Sequence, residues 1–216
     1  MSIKKVGKLD PDWEDMSPFV VHFTKAYGGN DEYFNALSIL GSQCIQARNR
    51  FGAGKTIDAS PKSVCFSEIP LHLLKRLADK RGPYGIGFKK QFIVERSGGP
   101  ILYAYKDTPH ANAFRKLVTD AAAHPDHPIW DIAPFVDIPG SYGPSTYFFE
   151  WEREWRHVGD LKFELGDPAF LIIPEHLHEA AGAFFDHAEA KNVGPNYQCP
   201  FIDPYWDLNE ISEKLP

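Results

Sequence analysis

Three glutamates stand at alternate positions, Glu150, Glu152 and Glu154, among the aromatic residues Phe149, Trp151 and Trp155. If residues 146–158 run as one strand, successive side chains point to opposite faces. Tyr147, Phe149, Trp151, Arg153, Trp155 and His157 then share one face, and Phe148, Glu150, Glu152, Glu154, Arg156 and Val158 share the other. Each carboxylate would lie about 7 Å from the next. Three chemistries fit such a row. A fixed glutamate can stabilise a cationic transition state. Glu150, Glu152 and Glu154 together can hold a divalent metal, as a metal-dependent nuclease requires. The row can also be a solvated outer face on which Arg156 pairs with Glu154.

Other residues carry weaker signals. His22 sits inside the apolar run Phe19-Val20-Val21-His22-Phe23, with Thr24 next on the same face. The pair can hydrogen-bond a ribose or a backbone, although a lone histidine in a strand is more often a hydrogen-bonded core residue. His124 and His127 lack a third ligand and sit between prolines, which points to a loop. Gly52-Ala53-Gly54-Lys55 lacks the full phosphate-loop spacing and follows no strand. Cys44, Cys65 and Cys199 are odd in number and form no C-x-x-C pair, so neither a zinc knuckle nor a disulfide framework is indicated.

The elements that would position these groups follow from periodicity and punctuation. Strands are expected at 19–23, 63–67, 85–88, 101–105, 162–165 and 170–173. Asp31 is placed to cap a helix over 32–40, with Gly41 as its stop. Pro70 opens a second helix to about residue 80, with Leu71, Leu74, Leu77 and Ala78 on one face. Further helices are expected at 89–96, 109–123 and 175–191, and a short one near the C-terminus. Residues 47–61, rich in glycine and charge, read as a mobile loop. Strands and helices mix without strict βαβ alternation. The expected class is therefore α+β, a single domain over 1–216 with a split, mainly antiparallel sheet flanked by helices, a core at about 19–192 and a tail at 193–216.

Composition sets limits. The chain has 216 residues, 43% hydrophobic, which is enough to bury a core without staples. Its formal charge is −6. The densest basic cluster, Lys75, Arg76, Lys80, Arg81, Lys89 and Lys90, reads as a solvated face, so a duplex-binding surface is not the default expectation. Residues 1–12 hold no apolar core of a leader, and no run reaches membrane-spanning length, so a cytoplasmic protein with no membrane partner is expected.

Several segments together resemble a known family. They are Val21-His22-Phe23-Thr24 with the following helix to Ile39-Leu40-Gly41, Val64-Cys65-Phe66-Ser67-Glu68-Ile69-Pro70, Tyr84-Gly85-Ile86-Gly87-Phe88 with Gly99-Pro100-Ile101-Leu102-Tyr103, and Glu150-Trp151-Glu152-Arg153-Glu154-Trp155-Arg156. Their order and spacing, over about residues 19–175, resemble AbiGi-type proteins of bacterial abortive phage resistance. That family in turn is similar to the ADP-ribosyltransferase-like fold, including the DarT group, whose enzymes bind NAD in the cleft of a split sheet.

The resemblance implies roles. His22 would contact the adenosine ribose, with Thr24 beside it. Phe66 and Ser67 would pack near the nicotinamide, although many members of the fold carry Tyr where Phe66 stands. Glu154, or Glu152 upstream of it, would be catalytic, facing the positive charge that develops on the ribose when the nicotinamide bond breaks. Arg156 would hold Glu154 ionised, and Arg50 would meet the pyrophosphate. The implied function is NAD-dependent ADP-ribosyl transfer to a protein or nucleic-acid acceptor, as a toxin or anti-phage effector. The alternatives are NAD hydrolysis and a non-catalytic antitoxin that binds a cognate toxin, since the family name is also attached to the antitoxin half of a pair.

Overall fold

The computed structural model describes residues 17–68 and 70–215. The leader expectation for residues 1–12 and the motif residue Ile69 lie outside the described residues. In chain order the first elements are β1 (Phe19–Phe23), α1 (Glu32–Ser42), β2 (Cys44–Ile45), β3 (Asn49–Arg50), β4 (Lys62–Ser67), α2 (Leu74–Arg81), β5 (Gly85–Lys89) and α3 (Lys90–Glu95). Then come β6 (Gly99–Pro100), β7 (Leu102–Tyr103), α4 (Pro109–Asp120), β8 (Val136–Asp137), β9 (Gly140–Tyr142) and β10 (Ser145–Tyr147). The last are β11 (Glu154–Val158), β12 (Leu161–Lys162), β13 (Pro168–Ile172), α5 (His178–Ala190), β14 (Phe201–Ile202) and α6 (Leu208–Lys214). The chain is thus a mixture of helix and sheet, and its described residues divide into two compact units.

Of the described residues, the first unit draws on 17–44, 68, 70–92 and 162–215. Its strands lie in the order β14-β13-β5-β1, antiparallel except for the parallel β13–β14 pair. Val20, Ile86, Phe88, Phe170 and Leu171 are buried along them, and Phe88 stacks on Phe92 with ring centroids 5.1 Å apart. Gly87 faces Phe170 across the β5–β13 pair, and a Cβ there would fall on the Phe170 ring. That close approach is why a glycine interrupts this apolar strand.

Asp31 caps α1 as expected, its carboxylate accepting from the Phe34 N–H at 2.8 Å. The helix runs past Gly41, the expected stop. Gln43 caps it instead in the left-handed region, φ 50°, donating its N–H to the Ile39 carbonyl. On α2, Leu74, Leu77 and Ala78 are buried, as the spacing requires. Lys90 departs from the solvated basic face. It is buried, with Nζ 2.5 Å from a Glu68 oxygen.

The second unit comprises Ile45–Ser67 and Ile93–Leu161. Here β3 pairs with β4, β4 with β11 and β11 with β6, all antiparallel, while β7 and β8 run parallel and β9–β10 form a hairpin. Thr108 caps α4, with Pro109 at its first position. The helix buries Val118 and Ala121 against Ile129, Trp130 and Ala133.

Two expectations fail in this unit. Residues 47–61 are not a loose loop. β3 and a 3-10 turn over Gly52–Gly54 organise them, and Ala53, Ile57 and Ala59 pack on the α4 core. Small apolar residues give this segment something to bury, so it folds onto the unit. Residues 146–158 are not one strand either. β10 ends at Tyr147, Glu150–Glu152 form a 3-10 turn, and Arg153 takes the left-handed conformation, φ 46°, before β11 begins. A left-handed residue breaks the two-residue alternation, so the three glutamates do not line one face. The strand expected at 162–165 shrinks to β12, and that at 101–105 to β7. Among the described residues no helix is long and apolar enough to cross a membrane.

Candidate functional site

Arg156 organises the second unit. It stands mid-strand on β11, opposite Cys65 of β4, and its side chain is 0% exposed. A guanidinium is kept out of water only where its donors and charge are met. Here Nε donates to Glu154 Oε1 at 2.8 Å, and Nη2 to Glu154 Oε2 at 3.2 Å and to Asp137 Oδ2 at 2.5 Å. Nη1 donates to the Pro134 carbonyl at 2.5 Å. The Phe51 ring lies over the guanidinium, 5.0 Å from its carbon to the ring centroid. Tyr147 donates its hydroxyl to Asp137 Oδ2 at 2.8 Å, and the Tyr103 hydroxyl accepts from the Glu154 N–H at 3.3 Å.

The electrostatics follow this packing. Burial pulls the Arg156 pKa down, but the hydrogen bonds and charge of Glu154, joined by Asp137, outweigh it and the net shift is upward. Burial and the Asp137 carboxylate raise the Tyr147 phenol, and burial takes the Tyr103 phenol up to about 12. Cys65 is pushed well above the usual thiol range, by burial first and then by Glu154. The arrangement offers two carboxylates committed to one guanidinium and a thiol held protonated. Such a group ties β11 and β4 to the segment around Asp137. It presents no activated nucleophile. Cys65 is accordingly expected to react with iodoacetamide at pH 8 much more slowly than a free cysteine, as read by mass spectrometry of the folded protein. A rate equal to that of free cysteine would contradict the burial argument.

His157, next on β11, has its pKa lowered by burial, against a partial offset from the Gly159 carbonyl. The unfolded chain therefore takes up this proton at a higher pH than the fold does. The stability His157 confers is complete above about 6.5, the unfolded value, and is lost as pH falls through the lower folded value. His157→Gln should flatten the fall in unfolding free energy between pH 7 and pH 5, measured by urea denaturation. An unchanged slope would count against this assignment.

The residues expected to form a site are distributed unevenly. β4 and β11 bring Phe66 opposite Trp155 and Ser67 opposite Glu154. Both Glu154 oxygens are occupied by Arg156. Glu152 is buried within the 3-10 turn, and Glu150 is half-buried, bonded to the Tyr105 hydroxyl. Arg50 is spent on its own segment, with Nε donating to the Ser60 carbonyl at 2.8 Å and Nη2 3.4 Å from Asp58. Phe66 is core, 2% exposed. His22 and Thr24 belong to the first unit. His22 is half-buried opposite Ile86, and Thr24 is buried, its hydroxyl donating to the Glu32 carbonyl at 2.8 Å. Among the described residues no group of three or more His, Cys, Asp or Glu is placed to hold a metal.

Sequence reasoning missed Asp137, Tyr147, Tyr103 and Phe51. One signal was there to find. Asp137 is a lone acid between Val136 and Ile138, and an acid inside an aliphatic run needs a buried cation.

The family model described as "Putative abortive phage resistance protein AbiGi, antitoxin" matches residues 38–183. No curated protein and no solved structure matches the chain. The antitoxin description overturns the expected main function, an NAD-dependent ADP-ribosylating toxin, in favour of the binding alternative. Covered over well more than half of its length, the chain belongs to the AbiGi family of abortive phage resistance.

Proposed function

We propose that this chain is the antitoxin of an abortive-infection pair, a protein that binds a cognate toxin and holds it inactive. The observation that carries this is the family match over residues 38–183 and its antitoxin description. The Arg156 cluster supports it from the physical side. The carboxylate with the strongest claim to catalysis is spent on an internal cation, which suits a rigid scaffold for binding. The mainly antiparallel pairing within each unit is compatible with an ADP-ribosyltransferase-like scaffold turned to recognition. Superposing a solved structure on that fold is the check.

The test is growth rescue. A candidate cognate toxin is expressed from an inducible promoter, with and without the chain. Rescue by the wild type, rescue retained in Glu154→Gln, and a stable complex of the two purified proteins are expected. Growth arrest caused by this chain alone, or a toxin unaffected by it, would overturn the proposal.

A further inference from the structure

In the second unit we propose that Tyr142 holds Lys106 and Arg115 as a two-cation clamp for the carboxylates of an acidic segment on a partner protein. The site goes beyond the antitoxin proposal and stands whether or not that partner is a toxin.

Both cations converge on one ring. Arg115, midway along α4, donates from Nη2 to the Tyr142 hydroxyl at 2.7 Å, and its guanidinium carbon lies 5.7 Å from the ring centroid. Lys106 Nζ lies 5.0 Å from the same centroid and donates to the Ser141 carbonyl at 2.7 Å. The Tyr142 hydroxyl gives its own proton to the Ile138 carbonyl at 2.7 Å, so towards Arg115 it accepts. The Lys106 stem crosses β9 at Gly140, where a Cβ would fall 2.5 Å from the Lys106 Cβ. Tyr142 is 40% exposed and both cations are half-buried, so the pair is ordered by its surroundings yet reachable from solvent.

Their charge is poorly answered from within. The two cations are at most about 11 Å apart and repel each other. Arg115 makes no ion pair among the described residues, and Tyr142 takes one of its five N–H donors. Lys106 has Asp107 at 3.6 Å, but that carboxylate is 77% exposed, and such a pair is worth little. Other acids of the neighbourhood are committed. Asp120 pairs with Lys116 at 2.6 Å, Glu150 bonds the Tyr105 hydroxyl, and Asp137 serves Arg156 and Tyr147. Residues 138–149, which carry Tyr142, hold no charged side chain. A guanidinium braced on an aromatic ring with donors to spare suits bidentate capture of a carboxylate. Tyr and Arg are also the residue types that most often anchor interfaces.

Charge decides between ligands. Nucleic acid is held by rows of Lys and Arg that neutralise successive phosphates. Here two cations stand on a chain of net charge −6. That arrangement keeps a long polyanion away and leaves a local site for one or two carboxylates.

The experiment follows the Arg115 Nε–H signal by NMR in isotope-labelled protein, assigned by its loss in Arg115→Gln. The probe is an acetylated and amidated tetraglutamate peptide, added at low salt. The signal should move and saturate, and the shift should fade as salt is raised. Lys106→Gln should weaken the peptide about tenfold, as loss of a charge-assisted bond does. Tyr142→Phe keeps every charge and the ring but removes the hydroxyl that orients Arg115, and should weaken it about threefold. Lys62→Gln, at an exposed lysine elsewhere in the unit, should bind as the wild type does. Circular dichroism confirms that each variant is folded. An Arg115 signal that the peptide leaves unmoved overturns the proposal. Equal weakening by Lys62→Gln and Lys106→Gln shows diffuse charge attraction and overturns it too. Inorganic phosphate, or a short single-stranded oligonucleotide, that moves the signal at lower concentration than the peptide makes phosphate the ligand and overturns it as well.

Discussion

Arg156→Met should cost on the order of 3–5 kcal/mol of unfolding free energy, the range for breaking a buried ion pair by removing one partner. The loss comes less from the missing attraction than from what is left behind. Glu154 and Asp137 would face each other across an apolar side chain, and the Pro134 carbonyl would lose its donor. For a protein whose whole stability is of the order of 5–15 kcal/mol, that is a large share. The measurement is urea denaturation of wild type and variant at pH 7. A triple variant that adds Glu154→Gln and Asp137→Asn isolates the cause. With the two charges gone, it should recover a substantial part of the loss, because the residual cost is then only that of neutral polar groups. A single variant that costs less than about 1 kcal/mol, or a triple variant no better than the single, would show that the cluster is solvated and not sealed.

The sequence carried the elements better than the site. Asp31 and Pro70 open helices by chemistry that acts within a few residues, and such signals survive without tertiary knowledge. The apolar face of α2 was visible in the same way. The family was legible too, from motifs of which all but Val21-His22-Phe23-Thr24 fall within the matched region. What failed was the stretch around Glu150, Glu152 and Glu154. Its polar–aromatic alternation has the period of a strand, but the turn at Arg153 depends on a left-handed backbone that an arginine does not announce. For Arg156 the pairing with Glu154 was legible and is present, but its burial was not. Its partner Asp137 lies 19 residues away, inside a segment that reads as loop. Without that partner a charged residue is rightly placed outside. The functional error came with the resemblance to the ADP-ribosyltransferase-like fold, which the antitoxin description overturns. A carboxylate on an open face suits the catalytic role that the resemblance implies, whereas Glu154 sits inside a salt-bridged cluster and serves the fold.

Gly52→Ala is the second substitution with a large expected effect, and it acts on the same cluster from the backbone side. Gly52 has φ +70°, and a Cβ there would lie 2.5 Å from the carbonyl oxygens of both Ala133 and Val136, and 3.4 Å from Arg156 Nη1. Those carbonyls are main chain on either side of Pro134, which receives Arg156, so they cannot move aside without disturbing that bond. Gly143 supplies the control, because its φ is +62° and nothing lies within 4 Å of its Cβ position. Gly143→Ala should pay only the left-handed strain, about 1 kcal/mol. Gly52→Ala should cost that plus the displacement of two carbonyls, about 3 kcal/mol or more. The two losses, Gly52→Ala and Arg156→Met, should also fall short of additivity when combined, since each removes part of what the other would lose. Urea denaturation of the two alanine variants and the double variant decides it. If Gly52→Ala costs no more than Gly143→Ala, the segment around Gly52 is not pressed against the Arg156 cage, and residues 47–61 recover the looseness their composition suggests.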